Sequence, residues 1–442
     1  MKNHSHIFLF LLLLAILSPP EIFAQEKSLL VESVRYQGNT KTSERVIRQY
    51  MSIREGQPVT REQLETDRIR LQNTNFFKEV EILITPGREK GWAKVLVKLR
   101  ERRWPYFQFK SGFNELDGWY ISPLGLRFDN LFGVGNYLGY ELVFGDRYGS
   151  SRLEFTRPYL FNSEYDLMVR LFGDQRNFLH FIDDEKFEQK VKYNGAMIGL
   201  RGNSGLAKYF ALAVSNQKVT ADSLLRDFPG DSLEIPAPDY LAPFNGEQNV
   251  AKVTFSINID TRNRPGDPTR GWWGALTLEQ GFLKFEQDDP AEKFERIILD
   301  LRRYQPLWRG VSAALRVKLG RTSDDAPFYE RFYLGGPNSL RGYEDRSQTP
   351  AGYGSHYSLG SAELRFPLSA RVQERSRLMG VLFYDAGYAW NTPETWQPEK
   401  LKTSLGFGAR VRVPLIGLLR LDFAYPVPDY KLNFHLSLGH TF

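Results

Sequence analysis

VTFSINID, Val253 to Asp260, alternates without a break. Val253, Phe255, Ile257 and Ile259 are apolar, while Thr254, Ser256, Asn258 and Asp260 are polar. A period of two belongs to a strand, whose successive side chains point to opposite faces. The pattern recurs with stronger contrast further along. AALRVKLG sets Ala313, Leu315, Val317 and Leu319 against Arg316 and Lys318. LGFGARVRV sets Phe407, Ala409, Val411 and Val413 against Gly408, Arg410 and Arg412, and LRLDFAY sets Leu421, Phe423 and Tyr425 against Arg420, Asp422 and Ala424. A soluble sandwich buries its apolar face and rarely presents arginines so regularly on the other. Segments of about ten residues, apolar on one side and charged on the other, fit a transmembrane barrel. Only a closed barrel leaves no unpaired backbone edge in hydrocarbon.

Working outward, sixteen strands can be placed after residue 104. They lie near Pro105, Trp119, Asn136, Ser150, Glu164, Val191, Ala207, Val250, Gly271, Lys293, Val311, Tyr357, Leu378, Leu401, Gly417 and Asn433. An even count returns both ends of the barrel to one rim. The proline-marked turns RPYLFNS, YQPLWRG, FPLSARV and VPLIG fall on that rim. The long segments Gln217–Asn249 and Thr322–Ser355 fall on the opposite side. The last strand, NFHLSLGHTF, carries Phe434, Leu436, Leu438 and the terminal Phe442 on one face.

Composition supports this class. The chain of 442 residues has 37 glycines, 22 tyrosines and 32 phenylalanines, as turns and aromatic strands require, and a mean hydropathy of −0.41. Its long apolar run, Ile7 to Leu17, is eleven residues, against roughly 20 for a spanning helix. With Lys2 before it and PPEIFAQ after it, the run reads as a secretory signal cut after Ala24. There are no cysteines, which excludes disulfide staples, metal–thiolate sites and cysteine nucleophiles. The net charge is +6, but its basic and acidic residues are interspersed, so nucleic acid is not expected as a partner. The six histidines lack metal-ligand spacing, and His435 and His440 lie on opposite faces of the last strand. GNSG and the scattered serines lack a nucleophile-elbow context. Asp183-Asp184-Glu185 and Asp288-Asp289 read as solvated loop charges rather than calcium sites. Neither an enzyme, a metal nor a cofactor is expected.

Residues 25–103 follow other periods. LLVESVRYQGN is a strand ending in a Gly-Asn turn. TSERVIRQYM is a helix with Thr42 as its expected cap, Glu44 in the first turn, and Val46, Ile47, Tyr50 and Met51 on one face. A second helix opens with the capping box Thr60-x-x-Gln63. VEILI and KVLVKL then put Val80, Ile82, Ile84, Val95, Val97 and Leu99 on strand faces. This β-α-α-β-β order resembles a POTRA domain, a periplasmic module that docks polypeptides. The Gly-Asn turn, the turn at Gly56–Thr60 and the N-F-F-x-x-V stretch at Asn75–Val80 match its pattern.

GGPNSLRGYEDR (Gly335–Arg346) lies in the sixth outer loop, and its LRGY is similar to the loop motif of the BamA/TamA/FhaC superfamily. So are NLFGVGN (Asn130–Asn136), DTRNRPGDPTRGWW (Asp260–Trp273), the G-x-x-E of Gly360–Glu363 and the F-x-D-x-G of Phe383–Gly387. The resemblance implies a membrane all-β fold: a 16-stranded antiparallel transmembrane β-barrel (104–442) in the outer membrane, preceded by a periplasmic POTRA domain. It implies that the loop folds back into the lumen, where Arg341 meets Glu363 and Asp385, with Gly342 allowing close approach and Tyr343 packing beside it. It further implies that the aromatic Phe442 is an assembly signal. Partners would be unfolded outer-membrane or secreted client polypeptides, outer-membrane lipid and accessory lipoproteins. The function implied is insertion or translocation of β-rich clients. The alternatives are a two-partner-type secretion pore for a single polypeptide and a passive porin. The family's insertases carry several POTRA domains and its secretion transporters usually two; this sequence shows room for one, which points to a specialised or accessory member.

Overall fold

The computed structural model describes residues 28–103, 105–114, 118–183, 185–203, 208–226, 234–263, 267–285, 290–308, 310–369, 371–372, 375–394, 396–413 and 417–438. The signal with its cut after Ala24, Asp184, Asp288, Asp289, His440 and the terminal Phe442 lie outside these residues. The chain forms two compact units. One comprises Met1–Gln108, Gly125–Tyr140 and Leu153–Leu167; the other comprises Phe109–Leu124, Glu141–Arg152 and Met168–Phe442.

The first unit contains a small mixed sheet of β1 (Leu29–Gln37), β2 (Pro58–Val59), β3 (Phe77–Pro86) and β4 (Trp92–Glu101), ordered β2-β1-β4-β3 with β1 parallel to β4. Helices α1 (Glu44–Gln49) and α2 (Arg61–Asn73) bury Val46, Ile47, Leu64 and Leu71 with Val31, Val80, Val95 and Val97 of the sheet. Each such aliphatic side chain contributes about 1.5–3 kcal/mol by leaving water. Asp67 of α2 is fully buried and satisfied: its carboxylate accepts from the backbone N–H groups of Ser52 (2.7 Å) and Ile53 (2.9 Å).

Helix α2 opens with its capping box. Thr60 Oγ1 accepts from Gln63 N at 3.2 Å, and Gln63 Oε1 accepts from Thr60 N at 2.9 Å. Helix α1 differs from expectation, because Ser43, not Thr42, is its cap. Thr42 is pulled inward instead. Its N–H donates to Glu101 Oε1 (2.6 Å) and its Oγ1 accepts from Asn130 Nδ2 (2.8 Å), so its hydroxyl is not free to cap. In the same unit Ser43 N donates to Gly133 O (3.1 Å) and Tyr159 Oη donates to Gln49 O (2.9 Å). Helix α1 and the loop leading into it therefore hold the two turns that follow Leu131 and Arg157.

The remaining long strands are antiparallel: β5 (Tyr106–Asn114), β6 (Gly118–Leu131), β7 (Asn136–Gly145), β8 (Tyr148–Arg157), β9 (Tyr165–Ile182), β10 (Glu185–Asn203), β11 (Lys208–Arg226), β13 (Gly246–Asp260), β14 (Gly271–Lys284), β15 (Glu292–Pro306), β16 (Ser312–Thr322), β17 (His356–Pro367), β20 (Leu378–Trp390), β21 (Lys402–Val413), β22 (Gly417–Val427) and β23 (Asn433–Leu438). Their hydrogen-bonded order closes on itself, and the two-residue β12 (Glu234–Ile235) adds a seventeenth strand beside β11. Two more short strands, β18 (Arg371–Val372) and β19 (Arg375–Ser376), form a separate ladder between β17 and β20. The sixteen long strands stand where the alternation placed them.

Which face is outside follows from exposure. Leu382, Phe407 and Phe434 are 50, 47 and 51 % exposed, whereas Asp385, Arg410 and Asp422 on the same or neighbouring strands are 0, 2 and 0 % exposed. Charged inside and apolar outside is the inverse of a soluble sheet and the pattern of a barrel in lipid.

Two features differ from the ten-residue expectation. β9, β10 and β11 run 18, 19 and 19 residues, well beyond the roughly ten that a tilted strand needs to cross hydrocarbon. The segment Gln217–Asn249 is thus not all loop: β11 continues to Arg226 and β13 begins at Gly246. The cause is packing. Val219, Ala221 and Leu224 join Phe178, Phe187, Phe294, Phe328 and Tyr353 in a buried apolar cluster that rewards continued strand. Of the charges at the β9–β10 turn, Glu185 pairs with Arg226 rather than standing free in solvent.

Candidate functional site: a loop pinned inside the barrel

The segment between β16 and β17 runs from Ser323 to Ser355 and carries Gly335–Arg346. Arg341 is fully buried. Its Nε donates to Asp385 Oδ2 (2.7 Å), its Nη2 to Asp385 Oδ1 (2.8 Å) and its Nη1 to Glu363 Oε1 (2.7 Å). The contact with Asp385 is two-pronged, matching the planar fork of a guanidinium to a carboxylate. The Arg341 guanidinium carbon also stands 3.5 Å from the centre of the Phe383 ring. Glu363 and Asp385 come from neighbouring strands and face inward because G-x-x-E and F-x-D-x-G place them on the polar side of β17 and β20.

The charges continue beyond these three residues. Arg365 reaches Glu363 at 2.7 Å and Arg410 approaches it at 3.5 Å. Arg410 and Arg420 stand opposite each other on β21 and β22, a repulsive pairing that Asp422 offsets at 2.7 and 3.3 Å respectively. Arg420 Nη2 donates to Pro337 O and Asn338 Oδ1, both at 2.9 Å. The loop thus lies within a lattice of four arginines and three carboxylates.

Gly342 makes the closest approach. Its φ is +89°, and a Cβ there would stand 3.2 Å from Ala424 Cβ and 3.3 Å from Pro426 Cδ. Both halves of its backbone are held by β23: its N–H donates to His435 Nε2 (2.8 Å), and its carbonyl accepts from Asn433 Nδ2 (2.5 Å). Tyr343 Oη donates to Thr403 O on β21 (3.0 Å).

Two further anchors hold the loop elsewhere. Glu330 receives Lys252 of β13 at 2.8 Å and lies 3.8 Å from Arg296 of β15, which also meets Glu279 at 2.8 Å. Arg346 is 1 % exposed, donates to Asn177 O of β9 (3.1 Å) and packs its guanidinium against Phe178 and Tyr333 at 5.0 and 5.1 Å. Tyr353 Oη donates to Leu179 O at 2.8 Å. A vestibule of about 1110 Å³ opens beside the loop, lined by Gly342, Tyr343, Tyr388, Lys402, Pro426 and Asn433.

Sequence reasoning singled out Arg341, Gly342, Tyr343, Glu363 and Asp385, and these five gather around one spot; Phe442 lies outside the described residues. It missed Arg365, Asp422, His435, Asn433, Glu330, Lys252 and Arg346 as site residues. Alternation had assigned Arg410, Arg420 and Asp422 to the inner face, and four inward arginines call for carboxylates, so that signal was readable. The Gly342–His435 contact had none, because it depends on where a loop backbone lies.

Two family models match this chain: one described as the Omp85 superfamily domain, over residues 130–442, and POTRA, described as a surface antigen variable number repeat, over residues 29–102. The chain belongs to the Omp85 superfamily. Among Omp85 relatives, the outer membrane protein assembly factor BamA of Nitratidesulfovibrio vulgaris is 24 % identical over 95 % of this chain and 52 % of its own length. BamA of Neisseria meningitidis serogroup B is 24 % identical over 94 % of this chain and 57 % of its own. The chain therefore spans about half the length of the curated relatives it matches. In fold it is similar to Haemophilus ducreyi BamA lacking POTRA domains 1–3, with a TM-score of 0.67 at 19 % identity, covering 93 % of this chain and 84 % of that one. It is also similar to CdiB of Acinetobacter baumannii, with a TM-score of 0.57 at 14 % identity, covering 94 and 74 %.

Proposed function

We propose that this Omp85 chain is an outer-membrane assembly factor that receives unfolded β-rich polypeptides at its periplasmic sheet and passes them to the membrane through its barrel. The observation that carries this reading is the loop pinned across the barrel interior and onto β23. A loop held by buried charges at three places suits a barrel that must stay shut until a client arrives. The fold is common to BamA and CdiB, so fold alone does not separate insertion from secretion. Sequence kinship with BamA over nearly the whole chain favours insertion.

The docking edge would be β3. The outer edge of β1 is already occupied: Val31 bonds Gln57 O and Gly56 N, and Val34 N donates to the Glu55 carboxylate. Among the described residues β3 pairs only with β4, so its ten residues leave one edge open to strand addition, with Leu83 and Ile84 each 40 % exposed on it. The latch would be Arg341 with Glu363 and Asp385, holding the loop on the last strands until a client displaces it.

Depletion in the native cell followed by a census of outer-membrane barrels tests the proposal. Loss of several barrels supports insertion; unchanged barrels with loss of one secreted polypeptide support the transporter reading; unchanged barrels and unchanged secreted polypeptides refute both. Deleting residues 28–103 should leave a heat-modifiable barrel in the membrane and abolish activity.

A further inference from the structure

The two turns held by α1 and its leading loop share an unusual feature. Phe132 and Phe161 both adopt left-handed backbone, with φ of +59° and +52°, and are 86 and 85 % exposed. That conformation disfavours a residue with a bulky side chain, and exposed turns normally give it to Gly, Asn or Asp. Glycine is indeed used beside Phe132, where Gly133 and Gly135 have φ of +72° and +78° and a Cβ on Gly133 would stand 2.0 Å from Lys41 O. The turn backbone is thus pressed against the loop that leads into α1, with Asn130 bonded to Thr42 and Gly133 O to Ser43 N, while the phenyl ring projects free. The second turn repeats the arrangement: Tyr159 is anchored on Gln49 O, and Phe161 projects.

Phe132 borders a cleft of about 450 Å³ whose lining includes the apolar Phe76, Phe128 and Leu131 and the cationic Lys41 and Arg102. Glu101 also lines it, but its carboxylate is committed to Thr40 Oγ1 (2.7 Å), Lys41 N (3.0 Å) and Thr42 N (2.6 Å). The charged groups left to the cleft are therefore the cations of Lys41 and Arg102, the latter also donating to Asn75 O at 3.1 Å, among apolar side chains. Both turns join membrane strands, so they stand at the level where headgroups meet acyl chains, the zone in which barrels carry their aromatic side chains.

We propose that this surface binds the bilayer itself: Lys41 and Arg102 take the phosphodiester headgroup of one phospholipid of the adjoining leaflet, and Phe132 and Phe161 enter the acyl region. The inference rests on the transmembrane reading of the barrel, not on what the protein assembles. Helix α1 and its leading loop, bonded to the same turns, would thereby hold the small sheet at the membrane surface.

The absence of cysteine makes the test direct. Phe132→Cys, Phe161→Cys and, as a solvent control, Leu83→Cys are labelled with bimane in the full chain reconstituted into phosphatidylethanolamine–phosphatidylglycerol vesicles. Labels at 132 and 161 should be quenched several-fold more by lipids carrying a nitroxide near the headgroup than by aqueous iodide, and the label at 83 the reverse. Iodide quenching at 132 and 161 equal to that at 83 would overturn the anchoring. Native mass spectrometry of the detergent-solubilised protein should show retained phosphatidylglycerol falling several-fold in Lys41→Glu, whose exposed side chain supports no core contact, and further in Lys41→Glu with Arg102→Gln. Retention equal to wild type in both would show that the lipid sits elsewhere and would sink the cleft.

Discussion

Arg341→Ala separates the two carboxylates that the arginine serves. Removing one member of a buried ion pair costs roughly 3–5 kcal/mol, chiefly because the other charge is left without compensation. Glu363 would not be left so, because Arg365 at 2.7 Å and Arg410 at 3.5 Å still neutralise it. Asp385 would be, since the charged donors described to both of its oxygens belong to the Arg341 guanidinium, and the alanine variant keeps only the backbone N–H of residue 341 at 3.3 Å. The penalty therefore concentrates on one carboxylate at 0 % exposure. Asp385→Asn in the same chain should recover about 1.5–3 kcal/mol, the scale of a hydrogen-bonded charge. Arg341→Lys should recover less, because an ammonium cannot make the two-pronged contact. A charge swap is a poorer test, since Arg341→Asp sets a carboxylate beside Glu363. The measurement is urea unfolding in lipid vesicles followed by heat-modified mobility, together with protease cleavage within residues 335–347 and cellular activity. Arg341→Ala should insert normally, expose the loop to protease and lose activity. Equal stability of Arg341→Ala with and without Asp385→Asn would refute this assignment of the cost, and a fully active, protease-resistant Arg341→Ala would refute the latch.

Other outcomes follow from neighbouring residues. Gly342→Ala meets both a positive φ and contacts at 3.2–3.3 Å, so it should release the loop nearly as completely as Arg341→Ala in the same protease assay. Glu330→Gln should free the first third of the loop while leaving Arg341 seated, giving a cleavage pattern distinct from that of Arg341→Ala. Burial would raise the Glu101 pKa, but hydrogen bonds from Thr42, Thr40 and Lys41 outweigh it and hold the carboxyl below its ordinary value. Its stabilisation is therefore complete above about pH 4.3 and fades as pH falls through the lower folded value; amide exchange at Lys41 and Thr42 should accelerate there, and Glu101→Gln should remove that pH dependence. Deleting Phe442 should reduce insertion of the protein itself, read as the membrane-embedded fraction after expression.

Much of this structure was legible because each layer repeats a simple period. Alternation placed sixteen strands, since one face must suit lipid and the other the charged interior. The capping box fixed the start of α2, because Thr60 and Gln63 satisfy each other without outside help. Thr42 misled for the opposite reason: its hydroxyl has a partner, Asn130, that lies 88 residues away. Register was the harder limit. Alternation assigns Arg410, Arg420 and Asp422 to a face but does not say that Arg410 stands opposite Arg420 or Asp422 opposite His435. The long β9–β11 were hidden because their ends are stabilised by a loop packed against them rather than by any local pattern.

The pinned loop also sets an order of events. Arg346 closes on Asn177, 169 residues earlier, Tyr353 on Leu179, 174 residues earlier, and Gly342 on His435, 93 residues later. These contacts need β9 and β23 in place together, so the loop seats only when nearly the whole wall stands. Contacts made after the rate-limiting step slow unfolding without hastening folding. Substitutions at Arg341 and Arg346 should thus shorten the lifetime of the finished barrel while leaving the speed of its construction unchanged.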